Sequence, residues 1–158
     1  MDLSQQLVRR AIRLPAPAIK VTKTFRPVAV TEPTKGTYIV DMGQNFGGWA
    51  SFGFDVPAGT EITIRYGELL NKDGSLNPMS SVCGQIKSGQ PQYPGAPPVA
   101  WQEDRYIARG GGENYTPQFT FHAFRYIELV GLPSIARFRE GPADELRRRT
   151  RRQLFLLQ

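Results

Sequence analysis

Short segments in which apolar and polar residues alternate, each ended by glycine or proline, run through the middle of the chain. The alternation is clearest over residues 49–56 and 61–66. A period of two places successive side chains on opposite faces of a strand, so one face of each segment should be buried. Because no long amphipathic helix is evident, the pattern predicts an all-β fold, an antiparallel β-sandwich.

Six strands are predicted, at residues 20–31, 37–42, 49–56, 61–66, 101–109 and 115–130. Pro27 favours an edge position for the first strand. Buried faces are predicted for two of the strands, formed by Ala50, Phe52, Phe54 and Val56 and by Ile62, Ile64 and Tyr66.

The connections between these strands carry turn residues. A turn is predicted over residues 32–36, where Gly36 can take a positive φ, and another at residues 72–74. The triplet Gly110-Gly-Gly112 lacks the Lys-Ser/Thr of a phosphate-binding loop, so we interpret it as a hairpin connection.

The last predicted strand, residues 115–130, is rich in aromatic side chains, which favours a buried position. Its alternation becomes mixed near Ala123, where a bulge is expected. The aromatic and aliphatic side chains on which this rests are Phe119, Phe121, Phe124, Tyr126, Ile127 and Leu129.

With 158 residues the chain has the length of one domain, at roughly 100–200 residues each. We expect a lead-in over residues 1–18, the sandwich over 19–133 and a basic tail over 134–158. Within the sandwich, residues 71–100 form a long connection that is functional or mobile. The tail is expected to be a short helix or disordered.

The formal net charge of +6 is concentrated at the two ends. Residues 1–14 carry a net +2 and residues 134–158 a net +4, whereas residues 15–133 hold ten basic and ten acidic side chains. A nucleic-acid interface needs basic residues over a folded face. Blocks of like charge at chain ends are usually solvated, so a basic tail that binds nucleic acid is the less favoured alternative.

Several classes of protein are excluded by composition. No apolar run approaches the ~18–20 residues of a membrane span, so no membrane partner is expected. Residues 1–14 lack the features of a secretory signal, so the chain is expected to be cytoplasmic if its start is genuine. A single cysteine, Cys83, allows neither an internal disulfide nor a cysteine-pair zinc site.

Candidate catalytic groups are few. The only histidine, His122, lies among aromatic residues, which favours a packed structural side chain over a catalytic base. Glycoside hydrolysis needs two carboxylates, and candidates by residue type are Asp41, Glu68, Glu103 and Asp104. Their separation cannot be obtained from sequence, so they identify no active site.

The most distinctive stretch is Asp41-Met-Gly-Gln-Asn-Phe-Gly-Gly-Trp49. Asp41, Gln44 and Asn45 could bind sugar hydroxyls while the ring of Trp49 covers an apolar sugar face. The favoured alternative is a turn in which Asp and Asn bond to their own backbone and Trp49 is a core residue. A calcium site formed by Asp41, Asn45 and loop carbonyls is a further alternative, and no other cofactor is expected.

Ordered blocks of the chain resemble bacterial α-L-rhamnosidases, glycoside hydrolase family 78. They include Gly36-Thr-Tyr-Ile-Val-Asp-Met-Gly-Gln-Asn-Phe-Gly-Gly-Trp49, Pro57-Ala-Gly-Thr-Glu-Ile-Thr-Ile-Arg-Tyr-Gly-Glu-Leu-Leu70, Trp101-Gln-Glu-Asp-Arg-Tyr-Ile and Phe119-Thr-Phe-His-Ala-Phe-Arg-Tyr-Ile-Glu-Leu129. The resemblance covers about residues 19–133 and is to the family's concanavalin-like (jelly-roll) β-sandwich domain.

The resemblance implies an accessory role. In that family the catalytic carboxylates lie on a separate (α/α)-barrel domain, and no residue here matches the catalytic motif. We therefore expect a fragment that is not catalytic alone and whose partner is the barrel. A stand-alone module that binds rhamnose-containing carbohydrate through Asp41, Gln44, Asn45 and Trp49 is the alternative function. The resemblance ends after Pro133, for which a truncated or frameshifted gene and a genuine short protein are both open explanations.

Overall fold

The computed structural model describes residues 21–81 and 101–134 and the backbone of residues 138–140. Within these residues the chain forms ten strands and one 3-10 turn at Pro78–Ser80. The strands are β1 (Ala29–Thr34), β2 (Thr37–Gly48), β3 (Phe52–Val56), β4 (Glu61–Gly67), β5 (Leu69–Leu70), β6 (Leu76–Asn77), β7 (Glu103–Ile107), β8 (Gly111–Tyr115), β9 (His122–Val130) and β10 (Phe138–Glu140).

The strands form two main antiparallel sheets that pack face to face. One sheet has five strands in the order β1-β2-β9-β4-β7, and the other has three in the order β10-β3-β8. The predicted all-β antiparallel sandwich is confirmed. Within the described part of the chain, β7 and β8 are edge strands of their sheets and are joined by a three-residue connection.

The core lies between the sheets and follows from the period-two patterns. On β3 the buried side chains are Phe52, Phe54 and Val56, and Ala50 packs against them, as predicted. On β4 they are Ile62, Ile64 and Tyr66, also as predicted. The other buried members of this cluster are Tyr38, Val40, Ala108, Phe124, Ile127, Leu129 and Leu132.

The Gly110-Gly-Gly112 triplet is not a hairpin connection. It follows β7, which pairs with β4 in the larger sheet, and leads into β8, which pairs with β3 in the smaller sheet. The chain therefore crosses between sheets here, as it does at residues 57–60. The two crossings are hydrogen-bonded to each other, Gly59 N to Ala108 O at 2.8 Å and Ala108 N to Thr60 O at 2.9 Å.

The predicted continuous strand over residues 115–130 is also wrong. β8 ends at Tyr115 and β9 begins at His122, in the other sheet, so residues 116–121 are a loop between sheets. Phe119 on this loop is 97% exposed and Phe121 is 53% exposed. Their aromatic character suggested a buried strand, but the change of sheet places them outside the core.

Four other predictions need correction. The first strand is Ala29–Thr34 rather than residues 20–31, and the following turn is confined to Lys35 and Gly36, where Gly36 has the expected positive φ of 80°. The expected bulge near Ala123 lies instead in the facing strand β2. β10 falls inside the segment predicted as a tail, and its backbone pairs with β3.

Part of the predicted long connection, residues 71–81, folds back against the larger sheet. Leu76 of β6 is buried and packs over Gly67, where a Cβ would lie 2.8 Å from a Leu76 methyl group. The remainder of that connection, residues 82–100, lies outside the described residues, as do residues 1–20 and 141–158. Among the residues described, no helix has the length and apolar character needed to span a membrane.

Candidate functional site

The distinctive Asp41–Trp49 stretch forms a bulge in β2, which we call the β2 bulge, residues 41–49. Asp41 lies opposite Tyr126 and Phe46 lies opposite Phe124, so β2 advances five residues while β9 advances two. Gly43 has a φ of 80°, and a Cβ there would lie 3.1 Å from a methyl group of Val28. Gly43, Gln44 and Asn45, which lie between the paired positions, are exposed.

Asp41 has a structural role in the β2 bulge. Its two carboxylate oxygens accept hydrogen bonds from Arg125 Nε and Nη2, each at 2.9 Å, and Oδ1 also accepts from Gly43 N at 2.7 Å. The bond from Arg125 lowers the pKa of Asp41, and this outweighs the opposing effect of burial. The predicted bond of Asp41 to its own backbone is confirmed, and the guanidinium of Arg125, from β9, holds the carboxylate across the sheet.

The other predicted sugar-binding residues are not gathered around Asp41. Gln44 and Asn45 are exposed at the tip of the bulge, and their side chains have no hydrogen bond within the described part of the chain. Trp49 follows the end of β2 and is partly buried, but it is not a member of the core cluster, so its prediction as a core residue is wrong. A sugar site at these four residues stays a prediction.

The calcium alternative is disfavoured by the partners of Asp41. A cation at Asp41 would have to displace Arg125 or lie close to the positive charge of its guanidinium. The second arrangement is electrostatically unfavourable because the two positive charges repel each other. Among the described residues there is no cluster of three or more histidine, cysteine, aspartate or glutamate side chains suited to a metal ion.

His122 is a packed histidine, as predicted. It is buried, and its ring stacks on Tyr66 with centroids 4.1 Å apart. Nδ1 lies 2.6 Å from Gln102 Oε1, and Nε2 lies 3.4 Å from Asp104 Oδ2 without making a hydrogen bond in the described structure. Among the described residues, the contacts of the ring are with Tyr66, Gln102 and Asp104, and none of them pairs the imidazole with a serine, threonine or cysteine nucleophile.

Asp104 is the centre of this buried polar cluster. Its oxygens accept hydrogen bonds from Tyr66 Oη and Thr120 Oγ1, both at 3.0 Å. Burial alone would raise the pKa of Asp104, but the contact with His122 and the bond from Thr120 lower it. The buried carboxylate links β4, β7, β9 and the 116–121 loop.

Glu103 lies on the opposite face of the larger sheet. It accepts hydrogen bonds from Arg65 Nε at 2.7 Å and from Arg105 Nε at 2.8 Å, and Arg65 also donates to Glu128 at 3.0 Å. Burial opposes ionisation of Glu103, but the two arginines lower its pKa. The fourth candidate carboxylate, Glu68, follows β4 and is partly buried. The candidate carboxylates therefore lie in separate environments.

A cleft of about 460 Å³ lies between the open edges of β7 and β8, and we call it the β7–β8 cleft. Sequence reasoning did not find it. Its walls are the inward-facing side of β7, the end of β8 and the loop that follows. The lining residues are Asp104, Tyr106, Ile107, Arg109, Asn114, Tyr115, Thr116, Pro117, Gln118, Phe119 and Thr120.

Two tyrosines stack inside this cleft. The rings of Tyr106 and Tyr115 have centroids 4.5 Å apart, and Tyr106 also stacks on Phe54 of the core at 5.8 Å. Tyr106 Oη donates to Glu113, which also accepts from Arg109 N at 2.9 Å. These contacts join the edge strands of the two sheets and give the cleft a rigid aromatic floor.

The sequence of residues 31–145 matches the bacterial α-L-rhamnosidase concanavalin-like domain. This match covers well over half of the chain. The chain belongs to this family. The resemblance predicted from residues 19–133 is thereby confirmed, including the type of fold.

Several α-L-rhamnosidases are similar to this concanavalin-like domain. The α-L-rhamnosidase of Streptomyces avermitilis is 34% identical over 116 residues, which are 73% of this chain and 10% of that protein. Its crystal structure complexed with L-rhamnose superposes with a TM-score of 0.58 over 72% of this chain and 10% of that one. The α-L-rhamnosidase structure from Dictyoglumus thermophilum is 36% identical, with a TM-score of 0.57, over 74% of this chain and 12% of that one.

The chain spans about a tenth of the length of the curated relatives it matches, 10% and 11% for the first two. In these α-L-rhamnosidases the matched domain is thus a small part of a larger protein. The predicted domain boundaries within this chain, at residues 18 and 133, stay predictions.

Proposed function

We propose that this chain serves as an accessory, non-catalytic β-sandwich domain of an α-L-rhamnosidase. The observation that carries the proposal is its match to about a tenth of each α-L-rhamnosidase relative. The remaining nine tenths have the room for a catalytic domain. The domain packs against an (α/α)-barrel in the intact enzyme and helps to frame the site that receives the rhamnoside.

The placement of the carboxylates supports a non-catalytic role. A glycosidase brings two carboxyl groups to opposite sides of one bond, about 5–9.5 Å apart. Asp104 is the single carboxylate that lines the β7–β8 cleft, and its oxygens accept bonds from Tyr66 and Thr120. Its pKa is lowered by these contacts and by His122, whereas a general acid needs a raised pKa.

The proposal is tested with the purified chain and an aryl α-L-rhamnoside, by release of the phenol. We expect no hydrolysis above that of a matched sample denatured by heat. As a control, an intact α-L-rhamnosidase must hydrolyse the same substrate under the same conditions. Turnover by this chain that persists after further purification, and that is lost on replacing Asp104 by Asn, would contradict the proposal.

The docking part of the proposal has its own test. The matched segment of the Streptomyces avermitilis enzyme can be exchanged for residues 21–140 of this chain. If the domain packs against the barrel, the hybrid should fold and unfold as one unit with the barrel and retain hydrolysis. Independent unfolding of the inserted domain in calorimetry, with activity unchanged when it is deleted, would show that no docking occurs.

A further inference from the structure

We propose that the β7–β8 cleft binds a neutral sugar, which lies against Phe119 and bonds to the hydroxyl of Tyr115 and the side-chain amide of Gln118. This goes beyond the accessory role and differs from the site predicted at Asp41, Gln44, Asn45 and Trp49. The cleft volume of about 460 Å³ falls within the roughly 300–1,000 Å³ of small-molecule sites.

The cleft offers hydrogen-bonding groups without partners. The hydroxyl of Tyr115 and the side-chain amide of Gln118 have no hydrogen bond within the described residues. Tyr115 is partly buried on the inner side of β8 and lines the cleft. Burial, with the charge of Asp104 nearby, raises the pKa of Tyr115 to about 12, so the hydroxyl remains a donor at neutral pH.

The charges in the lining favour a neutral ligand. The two ionised side chains are Asp104 and Arg109. Asp104 is bonded to Tyr66 and Thr120, and Arg109 lies 3.4 Å from Glu113. Neither charge requires a counter-ion from a ligand, so an anion or a cation would gain little here. A molecule with many hydroxyl groups would instead bond to the amide of Gln118 and the hydroxyl of Tyr115.

An exposed aromatic ring completes the site. Phe119 lines the cleft and is 97% exposed, although burying such a ring is worth about 1.5–3 kcal/mol. Ile107, also in the lining, is 65% exposed. Sugars present an apolar face of C–H groups and an edge of hydroxyls. The exposed ring of Phe119 and the hydrogen-bonding groups of the same lining match both parts of a sugar.

The test is calorimetric titration of the full chain with L-rhamnose, D-glucose and D-galactose. The choice of L-rhamnose rests on the proposed function, but the cleft argument does not. We expect saturable binding of at least one sugar. Phe119→Ala and Tyr115→Phe should each weaken it roughly three- to tenfold, the effect of losing one apolar contact or one hydrogen bond.

A matched control distinguishes sugar binding in this cleft from sugar binding at the β2 bulge. The double variant Gln44→Ala/Asn45→Ala removes two exposed amides from the bulge, as Gln118→Ala removes one from the cleft. Sugar binding should survive the double variant and be weakened by Gln118→Ala. Circular dichroism of each variant establishes that the sandwich is retained.

Three results would overturn the proposal. They are the absence of saturable heat with all three sugars, binding that is insensitive to Phe119→Ala and Tyr115→Phe in folded protein, and binding that is lost in the Gln44→Ala/Asn45→Ala variant. Absence of sugar binding would leave the accessory role intact. Hydrolysis of an aryl rhamnoside would overturn the accessory role and leave sugar binding by the cleft unaffected.

Discussion

The β2 bulge and the β7–β8 cleft each combine a carboxylate, amides and an aromatic ring, but their carboxylates and amides are arranged differently. In the bulge, Asp41 is bound to Arg125 and Gly43, and the neighbouring amides point outward from a strand. In the cleft, Asp104 lines an open depression together with two tyrosines and a loop. The difference shows that residue type alone does not make a site. A concave surface with unpaired donors is also needed.

The largest expected loss of stability is for replacement of a core ring, Phe52, and it should exceed the loss for Trp49, the last residue of the bulge. Phe52 is buried between the sheets, so Phe52→Ala should lower the free energy of unfolding by about 3–5 kcal/mol. Trp49→Ala should cost about 1 kcal/mol, because Trp49 is only partly buried and lies outside the core. Urea denaturation measures both. Equal losses for the two variants would place Trp49 in the core after all.

Replacement of one glycine in each region by alanine compares how well the backbone of the cleft and that of the bulge tolerate a Cβ. Gly110, beside the cleft, has a φ of 101°, and a Cβ there would lie 3.1 Å from the backbone nitrogen of Ala58. Gly43, in the bulge, has a similar positive φ, but its Cβ would meet the exposed side chain of Val28, which can move. Gly110→Ala should therefore cost about 3 kcal/mol and Gly43→Ala about 1 kcal/mol. A larger loss in thermal denaturation for Gly43→Ala would reverse this ranking.

Asp104 and Asp41 should contribute different amounts to the free energy of unfolding, and both contributions should depend on pH in the same direction. Asp104→Asn should cost about 2–3 kcal/mol at neutral pH, since it disturbs buried partners, whereas Asp41→Asn should cost about 1 kcal/mol at a more exposed ion pair. Both carboxylates have a lowered pKa in the folded state. Their stabilisation is thus present above the unfolded pKa of about 4 and is lost as the pH falls through the folded value.

Urea denaturation at neutral pH and at a pH below that folded value tests this sign. The difference in free energy of unfolding between the wild type and Asp104→Asn should become smaller in acid. A gap that widens in acid would mean that Asp104 is protonated in the folded protein and acts as a donor.

The smallest expected effect on stability is at the exposed amides. Gln44→Ala, Asn45→Ala and Asn114→Ala should each change the free energy of unfolding by less than about 0.5 kcal/mol, because these side chains are exposed and have no hydrogen bond within the described residues. Thermal denaturation measures this. A loss above 1 kcal/mol in any of them would indicate a structural contact.

The buried faces of the strands were predictable where every second side chain of a strand contacts the core. The alternation on β3 and β4 identified the buried faces around Phe54 and Ile64, because one face of each strand meets the core. The bond of Asp41 to the backbone of Gly43 was equally local and was predicted. These features depend on residues a few positions apart.

The cleft was not predictable because it depends on distant pairing. Tyr106 and Tyr115 are close in sequence but belong to different sheets, since β7 pairs with β4 and β8 with β3. An apolar run such as that around Phe119 and Phe121 has no local signal that the chain changes sheets there. The Arg125 bond to Asp41 is similarly non-local, because 84 residues separate the two side chains.

The contrast between the two regions is tested most directly by amide chemical shifts of the full chain during titration with L-rhamnose, D-glucose and D-galactose. With at least one of these sugars, we predict saturable shifts at Asn114, Thr116, Gln118 and Phe119 and none at Gln44 and Asn45. Shifts confined to Gln44, Asn45 and Trp49, or no saturable shift with any of the three sugars, would contradict the assignment of the ligand site to the β7–β8 cleft.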